Sequence, residues 1–464
     1  MGERRLAPWI VVGAVAAAHA TSFAGTFQFD DWAVIVDDPR VASLAAWWGS
    51  LPGIRPLLKL TYAANHASGL GLWGFHAVNV ALQAANALLV LAMLRRLGPR
   101  LAPAGAGGEA AALVGALLFA LHPAQTEAVT YLSGRSTSLA ALLVLGSVVA
   151  WMRGRDEGTP ARAWLLSPAL MAASLGVKET AVAVPAALVL LLAVDLRRPF
   201  SVREALRATA PHLAVLAAAT AAYLASPTYG RMVSASRSLR PVAENLRVHA
   251  GAVAWLAGQV VRPDRLNADP DPATVAVLPG GWAVALVILA AAAGLALVRR
   301  RPSVAFGVLW FLLWLAPSGW LVPRREPASD RQLYLSLIGP AWVAGRWLAP
   351  WARAGGARQL AVVALVAALG VATALRNRVY ADPVAFWEDV VAKSPRNARA
   401  HNNLGYSLAG ACRIPEAEAA LSRALELDPE HVRAAVNLRL LREGAALRPG
   451  EAPCPRAGSA PSVP

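Results

Sequence analysis

The sequence predicts an all-α membrane protein, a polytopic bundle of about eleven membrane-spanning helices followed by a small helical module. Of its 464 residues, 56% are hydrophobic and only 16% are charged, a balance too apolar for a soluble protein of this length. Up to Arg376, unbroken apolar runs follow one another, and many approach the roughly 20 residues that a helix needs to cross a bilayer. After Arg376 the composition turns polar, with the spacing of soluble helices.

The apolar runs divide the chain into parts that we expect to fold differently. We expect a membrane domain at 1–376, with a first outer loop at about 27–72, then an outer helical module at 377–445 and a disordered tail at 446–464. The run 248–261 is short and contains His249 and Gln259, so we expect a re-entrant or interfacial helix there. The predicted spans are 8–27, 73–94, 109–122, 136–151, 163–177, 181–196, 206–225, 277–298, 304–322, 333–348 and 359–375.

Arginine residues set the predicted orientation of the spans. Cytoplasmic loops are enriched in Lys and Arg, and basic clusters such as those at 95–100 and 299–301 fall on alternate connections if 248–261 does not cross. This alternation predicts a multi-pass protein of the inner (plasma) membrane, with a cytoplasmic N-terminus and with the first loop and the C-terminal module outside. The net charge of +16 is spread over many loops, so topology and lipid phosphate explain it better than nucleic acid.

The first outer loop opens with four carboxylates in nine positions, Asp30, Asp31, Asp37 and Asp38. Charge beside hydrocarbon is expensive, so acids at this boundary indicate a site rather than a merely solvated loop. A carboxylate at an apolar boundary can act as a general base on a hydroxyl. It can also hold a divalent cation, and the spacing of two adjacent Asp residues does not distinguish these roles. The metal requirement therefore stays open.

A second set of charged residues falls on the predicted outer face and flanks or interrupts apolar runs. Ionisable groups at such positions usually pair with each other or with a ligand. One interpretation is that these charged residues form salt bridges with each other. The large number of charges on one face instead favours a cavity that holds an anionic ligand. These residues are Arg55, Lys59, His122, Glu127, Arg135, Lys178, Glu179, Arg231, Arg237, Arg240, Arg324, Arg325, Glu326, Asp330 and Arg331.

The polar segment 397–430 has the spacing of one tetratricopeptide repeat (TPR), a 34-residue pair of packed helices. Its small residues allow two helices to approach closely, and Pro429 ends the second helix. Flanking segments at 383–395 and 432–441 look like a degenerate preceding repeat and a capping helix. The residues that match the repeat are Leu404, Gly405, Leu408, Ala417, Leu421, Ala424 and Pro429.

A series of short motifs recurs in one order along the chain, and each is weak alone. They are Phe29-Asp30-Asp31, Arg55-Pro56-Leu57, Phe75-His76, His122-Pro123, Glu127-Ala128-Val129, Gly134-Arg135, Lys178-Glu179, Asp330-Arg331 and Leu333-Tyr334-Leu335. With them the sequence resembles the membrane-embedded GT-C glycosyltransferases over nearly the whole chain. It most closely resembles the TMTC-like O-mannosyltransferase group, which carries C-terminal tetratricopeptide repeats, and its bacterial relatives.

The resemblance implies roles for particular residues. Asp30 and Asp31 would supply the base that activates the acceptor, with Asp31 slightly favoured because it stands against Trp32. The resemblance and the basic outer loops together point to three cations for the donor phosphate, Arg331, Lys178 and Arg135. Acceptor or sugar contacts are expected from Arg55, His76, His122, Glu127, Glu179 and Tyr334.

The resemblance implies a membrane glycosyltransferase that moves a sugar, mannose first among candidates, from a polyprenyl-phosphate donor to an outer acceptor hydroxyl. Its partners would be the lipid-linked sugar, membrane lipid and an acceptor protein or glycan, bound in part by the repeat module. A scaffold or envelope-assembly protein is an alternative, but an anchor needs neither eleven spans nor outward acids. A transporter of a polyprenyl-linked substrate is another, but it would favour broken helices and internally symmetric halves.

Overall fold

The computed structural model describes residues 2–51, 53–101, 108–276, 278–319, 323–324 and 326–447. In this part of the chain the regular structure is helical and no strand occurs, which confirms the all-α prediction. Positions 448–464 of the predicted tail, the ends of the predicted spans at 277 and 320–322, and Arg325 lie outside the described residues.

The described α-helices are numbered in chain order, and short 3₁₀ and π turns connect several of them. They are α1 (Gly2–Ala18), α2 (Leu44–Gly49), α3 (Pro56–Ser68), α4 (Gly71–Leu101), α5 (Gly108–Leu121), α6 (Thr126–Val129), α7 (Arg135–Asp156), α8 (Ser167–Leu175), α9 (Val184–Val194), α10 (Val202–Ala225), α11 (Pro227–Arg237), α12 (Val242–Gln259), α13 (Pro272–Val275), α14 (Gly280–Leu297), α15 (Pro302–Leu315), α16 (Leu333–Ser336), α17 (Ile338–Arg353), α18 (Gly356–Val379), α19 (Pro383–Lys393), α20 (Ala398–Gly410), α21 (Ile414–Leu427) and α22 (Val432–Glu443).

Each predicted span falls mainly on helix, but the helices differ in length. Five in the described part of the chain are long and apolar enough to cross a membrane, Arg4–Ala24, Gly71–Leu101, Leu132–Asp156, Val202–Ala225 and Gly356–Val379. A sixth results if Gly108–Leu121 and Pro123–Val129, which meet at 53°, form one broken span. The chain is therefore a membrane protein, and the count of eleven crossings stays a prediction.

Proline explains why the apolar stretch 163–196 is divided into two short helices. Pro168 and Pro185 lie in the first turns of α8 and α9, where a residue without an amide hydrogen is well tolerated. Between these helices the chain makes a 3₁₀ turn, Glu179–Ala183, directly after Lys178. The break thus places a Lys-Glu pair at the end of a helix rather than inside a continuous apolar span.

The centre of the bundle is closely packed through glycine. A Cβ atom added at Gly345 of α17 would lie 2.6 Å from the carbonyl oxygen of Ala111 in α5. One added at Gly339 would lie 2.3 Å from the carbonyl oxygen of Gly307 in α15. Small residues let membrane helices approach at backbone distance. Trp310 and Trp342 are fully buried in the resulting core.

In the C-terminal module, α20 and α21 pack face to face across a short turn. A Cβ atom added at Gly405 would lie 2.6 Å from the Leu421 Cγ atom, so this position requires glycine for the observed approach. Ala417 and Ala424 are fully buried on the same face. The pair has the form that the repeat pattern predicts, and its assignment as a tetratricopeptide repeat stays a prediction.

Candidate active site

The chain leaves α1 through a short 3₁₀ helix and reaches the acid pair at Phe29, which has a positive φ of 39°. The Asp31 side chain that follows is fully buried. Its Oδ1 atom accepts a hydrogen bond of 2.7 Å from the Ser133 amide, and its Oδ2 atom accepts one of 3.0 Å from the Gln28 amide. Burial raises the pKa of Asp31 to about 7, although both hydrogen bonds oppose the rise.

Asp30 lies in a different environment from its neighbour. It is half-buried, and its backbone amide donates a 3.0 Å hydrogen bond to the Tyr131 hydroxyl. Burial raises the pKa of its carboxyl group, while the charges of Arg331 and Arg399 act to lower it. Its carboxylate forms no ion pair within the described ranges. Because Asp30 is half-buried and Asp31 is fully buried, Asp30 is the member of the pair that a ligand can reach more readily.

Arg331 is held by Glu127, whose side chain is only 4% exposed. The Glu127 Oε1 atom accepts a 2.7 Å hydrogen bond from the Ser329 hydroxyl, and Oε2 accepts one of 2.8 Å from the Arg331 amide. The Arg331 Nε atom lies 3.5 Å from Oε1. Burial acts to lower the pKa of Arg331, but Glu127, Tyr131 and Asp30 together raise it, so the guanidinium stays charged.

Three more cations interact electrostatically with Arg331 or with one another, and one of them, Lys178, lies at the break between α8 and α9. Lys178 is 9% exposed, and its Nζ atom donates a 2.7 Å hydrogen bond to the Thr137 hydroxyl. Burial lowers the pKa of Lys178 far below its ordinary value, and Arg331, Arg324 and Arg55 lower it further. Arg324 forms no ion pair with another described residue.

Arg55 adds a charge that is already partly balanced. Its Nη2 and Nε atoms lie 2.9 Å and 3.3 Å from the two carboxylate oxygens of Glu179. Glu179 balances the charge of Arg55, and Glu127 balances that of Arg331. Lys178 and Arg324 have no such partner among the described residues, so the four cations together carry a net positive charge when Lys178 is protonated. Because a depressed lysine pKa rises again beside an anion, this group is suited to bind a phosphate. We call Arg55, Lys178, Arg324 and Arg331 the cation cluster.

Two features therefore meet at Arg331. Its charge acts to lower the pKa of Asp30 and also the pKa values of Lys178 and Arg324. The arrangement can hold an anion beside a carboxylate of raised pKa. No group of three or more His, Cys, Asp or Glu side chains that could hold a metal ion occurs among the described residues.

Arg135, expected at the donor phosphate, lies elsewhere. It is fully buried, and its Nε and Nη2 atoms donate to Asn79 Oδ1 at 2.7 Å and to the Phe75 carbonyl at 3.0 Å. Its Nη1 atom donates to the Thr61 carbonyl at 3.2 Å, and the guanidinium stacks over the ring of Tyr62. With its donors engaged, Arg135 joins α3, α4 and α7 and is not available to a ligand.

Three of the expected acceptor or sugar contacts are also engaged in packing. The His76 Nε2 atom lies 3.2 Å from the Gly25 carbonyl oxygen. His122 Nε2 lies 3.1 Å from the Val260 carbonyl oxygen, and its Nδ1 accepts from the Ala124 amide. The buried Tyr334 hydroxyl accepts a 2.9 Å hydrogen bond from Asn86. Arg55, Glu127 and Glu179, in contrast, lie at the site.

The structure adds residues that the motifs did not assign to the site. Arg324 was visible as one of many outer charges, and Tyr131 lies between two of the motifs. Nothing in the sequence marked Arg399 as a site residue, because it belongs to α20 of the C-terminal module rather than to an outer loop of the membrane domain. Its guanidinium pairs with Asp269 and Glu326, close enough to Asp30 to lower the pKa of that carboxyl group.

These observations define a class, an all-α membrane protein with an acid and several cations that interact electrostatically. Comparison with known proteins refines it. The chain is 31% identical over 201 residues to protein O-mannosyl-transferase TMTC1 of Mus musculus, covering 38% of this chain and 21% of the relative. It is 32% identical over 205 residues to TMTC4 of Mus musculus, covering 38% and 28%. It is 35% identical over 179 residues to Tmtc2 of Drosophila melanogaster, covering 34% and 18%.

Over the matched part, the chain is a homologue of the TMTC-like protein O-mannosyl-transferases, which confirms that resemblance. The match covers about a third of the chain rather than nearly all of it, and between 18% and 28% of the length of these three relatives. No family model matches the chain, and no solved structure matches it significantly.

Proposed function

We propose that this chain is a membrane glycosyltransferase that moves a sugar from a polyprenyl-phosphate donor to a hydroxyl group of an acceptor protein. The observation that carries the proposal is the buried Lys178, which has no carboxylate partner in the described part of the chain, together with Arg331, which Glu127 holds and whose charge acts on both Lys178 and the half-buried Asp30. The names of the homologues, protein O-mannosyl-transferases, support the reaction type and make mannose the first sugar to test.

The cation cluster would bind the donor phosphate. Charge-assisted hydrogen bonds to phosphate are short and strong, and in a partly buried site they are weakly screened. Lys178 and Arg324 have no carboxylate partner in the described part of the chain, so a phosphate would supply the missing negative charge. As the sugar leaves, negative charge grows on the phosphate oxygens, and the same cations stabilise it.

Asp30 would act as the general base. In the proposed step the acceptor hydroxyl oxygen forms a bond to the anomeric carbon while the bond from that carbon to the phosphate oxygen breaks. The electron pair leaves with the polyprenyl phosphate, and the hydroxyl proton passes to the Asp30 carboxylate. A base with a raised pKa accepts a proton more readily, and the direction found for Asp30 suits this role.

Asp31 fits the supporting role better than the role of base, although the sequence slightly favours it. Both of its carboxylate oxygens accept backbone hydrogen bonds, from Gln28 and from Ser133. The Asp31 side chain is also fully buried, so an acceptor hydroxyl group reaches it less readily than the half-buried Asp30. We propose that Asp31 fixes the loop that presents Asp30.

We further propose the GT-C type, the domain division at 376 and the predicted orientation, with Asp30 and the helical module outside the inner membrane. The alternation of arginine clusters supports the orientation, since basic connections are retained in the cytoplasm. The paired helices α20 and α21 support a repeat module that helps to bind the acceptor.

The test uses purified full-length protein in lipid vesicles with radiolabelled polyprenyl-phosphate mannose and an acceptor protein mixture. The proposal expects label on protein, released by β-elimination from Ser or Thr. Donor that binds but is carried across the vesicle without transfer would indicate a transporter and overturn the proposal. Absence of both donor binding and transfer would favour a scaffold.

A further inference from the structure

The C-terminal module is not merely tethered to the membrane domain, because the two parts share an apolar core. Phe386 and Trp387 of α19 are buried in one cluster with Tyr131, whose hydroxyl group contacts Asp30. The ring centroids of Trp387 and Phe29 are 5.4 Å apart in an edge-on arrangement. The segment that carries the acid pair therefore packs directly against the module.

A buried polar contact joins the module to the loop between α12 and α13. The hydroxyl oxygen of the buried Ser394 accepts hydrogen bonds from Asn267 Nδ2 at 2.8 Å and from the Asp271 amide at 3.4 Å. Asn397 Nδ2 donates a 2.8 Å hydrogen bond to the Asp269 carbonyl. The module thus fixes the course of this loop.

The same loop supports Asp330, the residue before Arg331. The backbone amide of Asn267 donates a 3.2 Å hydrogen bond to Asp330 Oδ1. On the other side, Arg376 Nη2 lies 3.8 Å from Asp330 Oδ2, and Arg376 Nη1 lies 2.5 Å from Asp389 Oδ2 in α19. Asp330 is 2% exposed, so both supports act in a weakly screened environment.

We propose that docking of the C-terminal helical module positions Arg331 in the anion site, with Asp389 and Ser394 acting as positioning residues through Asp330. The module is then part of the site rather than only an acceptor-binding attachment. Loss of either support would leave Asp330 buried with fewer partners, and the turn that carries Arg331 would relax. This inference rests on the proposed function, in which Arg331 binds a phosphate.

The experiment uses full-length protein in lipid nanodiscs and polyprenyl phosphate without a sugar as the probe. Asp389→Asn removes the charge at nearly constant size, and Ser394→Ala removes the other support. Glu416→Gln is the matched control, because Glu416 lies on the module and pairs with Arg413 at an exposed position. Affinity for the probe and hydrogen exchange of segment 326–336 and of α20–α21 are measured in each variant.

We expect Asp389→Asn and Ser394→Ala each to weaken polyprenyl phosphate binding about tenfold and to speed hydrogen exchange at 326–336, a coupling of ordinary size. Exchange in α20–α21 should stay slow, Asp389→Glu should restore binding, and Glu416→Gln should change neither readout. Unchanged affinity in both support variants would overturn the inference, as would an equal loss of affinity in Glu416→Gln.

The two proposals fail in distinguishable ways. Suppose that the Asp389 and Ser394 variants bind polyprenyl phosphate more weakly but the wild-type protein transfers no sugar. That result would support the positioning role of the module and refute the proposed reaction. If the wild-type protein does not bind the probe, the donor site itself is refuted. In that case faster exchange at 326–336 in both support variants still supports the coupling, and unchanged exchange overturns it.

Discussion

Two neighbouring carboxylates at the site have unequal surroundings. Adjacent residues in an extended segment point to opposite sides, so the sequence alone predicts that only one of Asp30 and Asp31 reaches a substrate. In the structure the pair instead begins a helical turn, with Asp31 at φ -56° and ψ -35°. Which of the two reaches a substrate depends on Ser133 and Tyr131, about 100 positions further along the chain. The Ser133 amide donates a hydrogen bond to the Asp31 carboxylate, whereas the Tyr131 hydroxyl accepts one from the backbone amide of Asp30. No local pattern could have supplied that information.

The pH dependence of the reaction offers a test at this scale. Arg399 lowers the pKa of Asp30, so Arg399→Gln should raise that pKa, because a nearby cation favours the charged carboxylate. The base then stays protonated to a higher pH. We expect the acidic limb of the pH profile of kcat/KM to move to higher pH, whereas the exposed Arg413→Gln leaves it in place. A shift to lower pH would contradict the assigned base.

Arg331 should act on the donor rather than on the acceptor. Arg331→Ala removes a charge-assisted contact to phosphate, and we expect donor affinity to fall by about 10- to 100-fold, as for loss of a hydrogen bond to a charged group. Affinity for radiolabelled polyprenyl-phosphate sugar is the measurement, and Arg262→Ala, at an exposed pair with Asp264, is the control. Donor affinity that does not change would remove Arg331 from the phosphate site.

At the scale of helices, hydrophobic runs predicted where the helices lie but not how they are divided. The stretch 163–196 becomes α8 and α9 because prolines begin both helices, and the break positions Lys178. The buried Arg135 shows a second feature that a hydrophobic run does not reveal. An arginine at the edge of an apolar run suggests a ligand, yet Asn79 and the backbone of α4 satisfy it internally.

The helix pair of the C-terminal module makes a stability prediction. Ala417 is fully buried against α20, so Ala417→Arg forces a charge into the contact and should destabilise the module by about 3–5 kcal/mol. Hydrogen exchange of α20–α21 in the full-length protein measures the change. Ala419→Arg, at an exposed position of the same helix, should leave exchange near that of the wild type. Slow exchange in Ala417→Arg would show that α20 and α21 do not depend on this contact.

For the whole molecule, the sequence predicted two separable parts, while the structure joins them through Ser394, Asn397 and Arg376. The partners of these residues lie between 13 and 128 positions away in the chain, and nothing in the spacing of either partner marks the pair. The composition change near 376 predicts where the module begins, which stays a prediction, and it carries no information on how the module docks.

The predicted orientation can be tested directly. Single cysteines introduced near Trp48 and Glu443 should react with an impermeant maleimide in intact cells, because the acid loop and the module are expected outside. Cysteines near Arg155 and Arg300 should react only after permeabilisation. Labelling of the first loop and the module from opposite sides would show an even number of crossings and refute the eleven-span topology.

The most direct test of the central claim is single-turnover sugar transfer by Asp30→Asn and Asp31→Asn, with donor affinity measured in parallel. Asn keeps the size and polarity of the side chain and removes proton acceptance, and loss of a general base costs about 10²–10⁴-fold in rate. The account predicts that loss for Asp30→Asn with nearly unchanged donor affinity, and a smaller loss for Asp31→Asn through disturbance of the loop. Near-normal transfer by Asp30→Asn would contradict it.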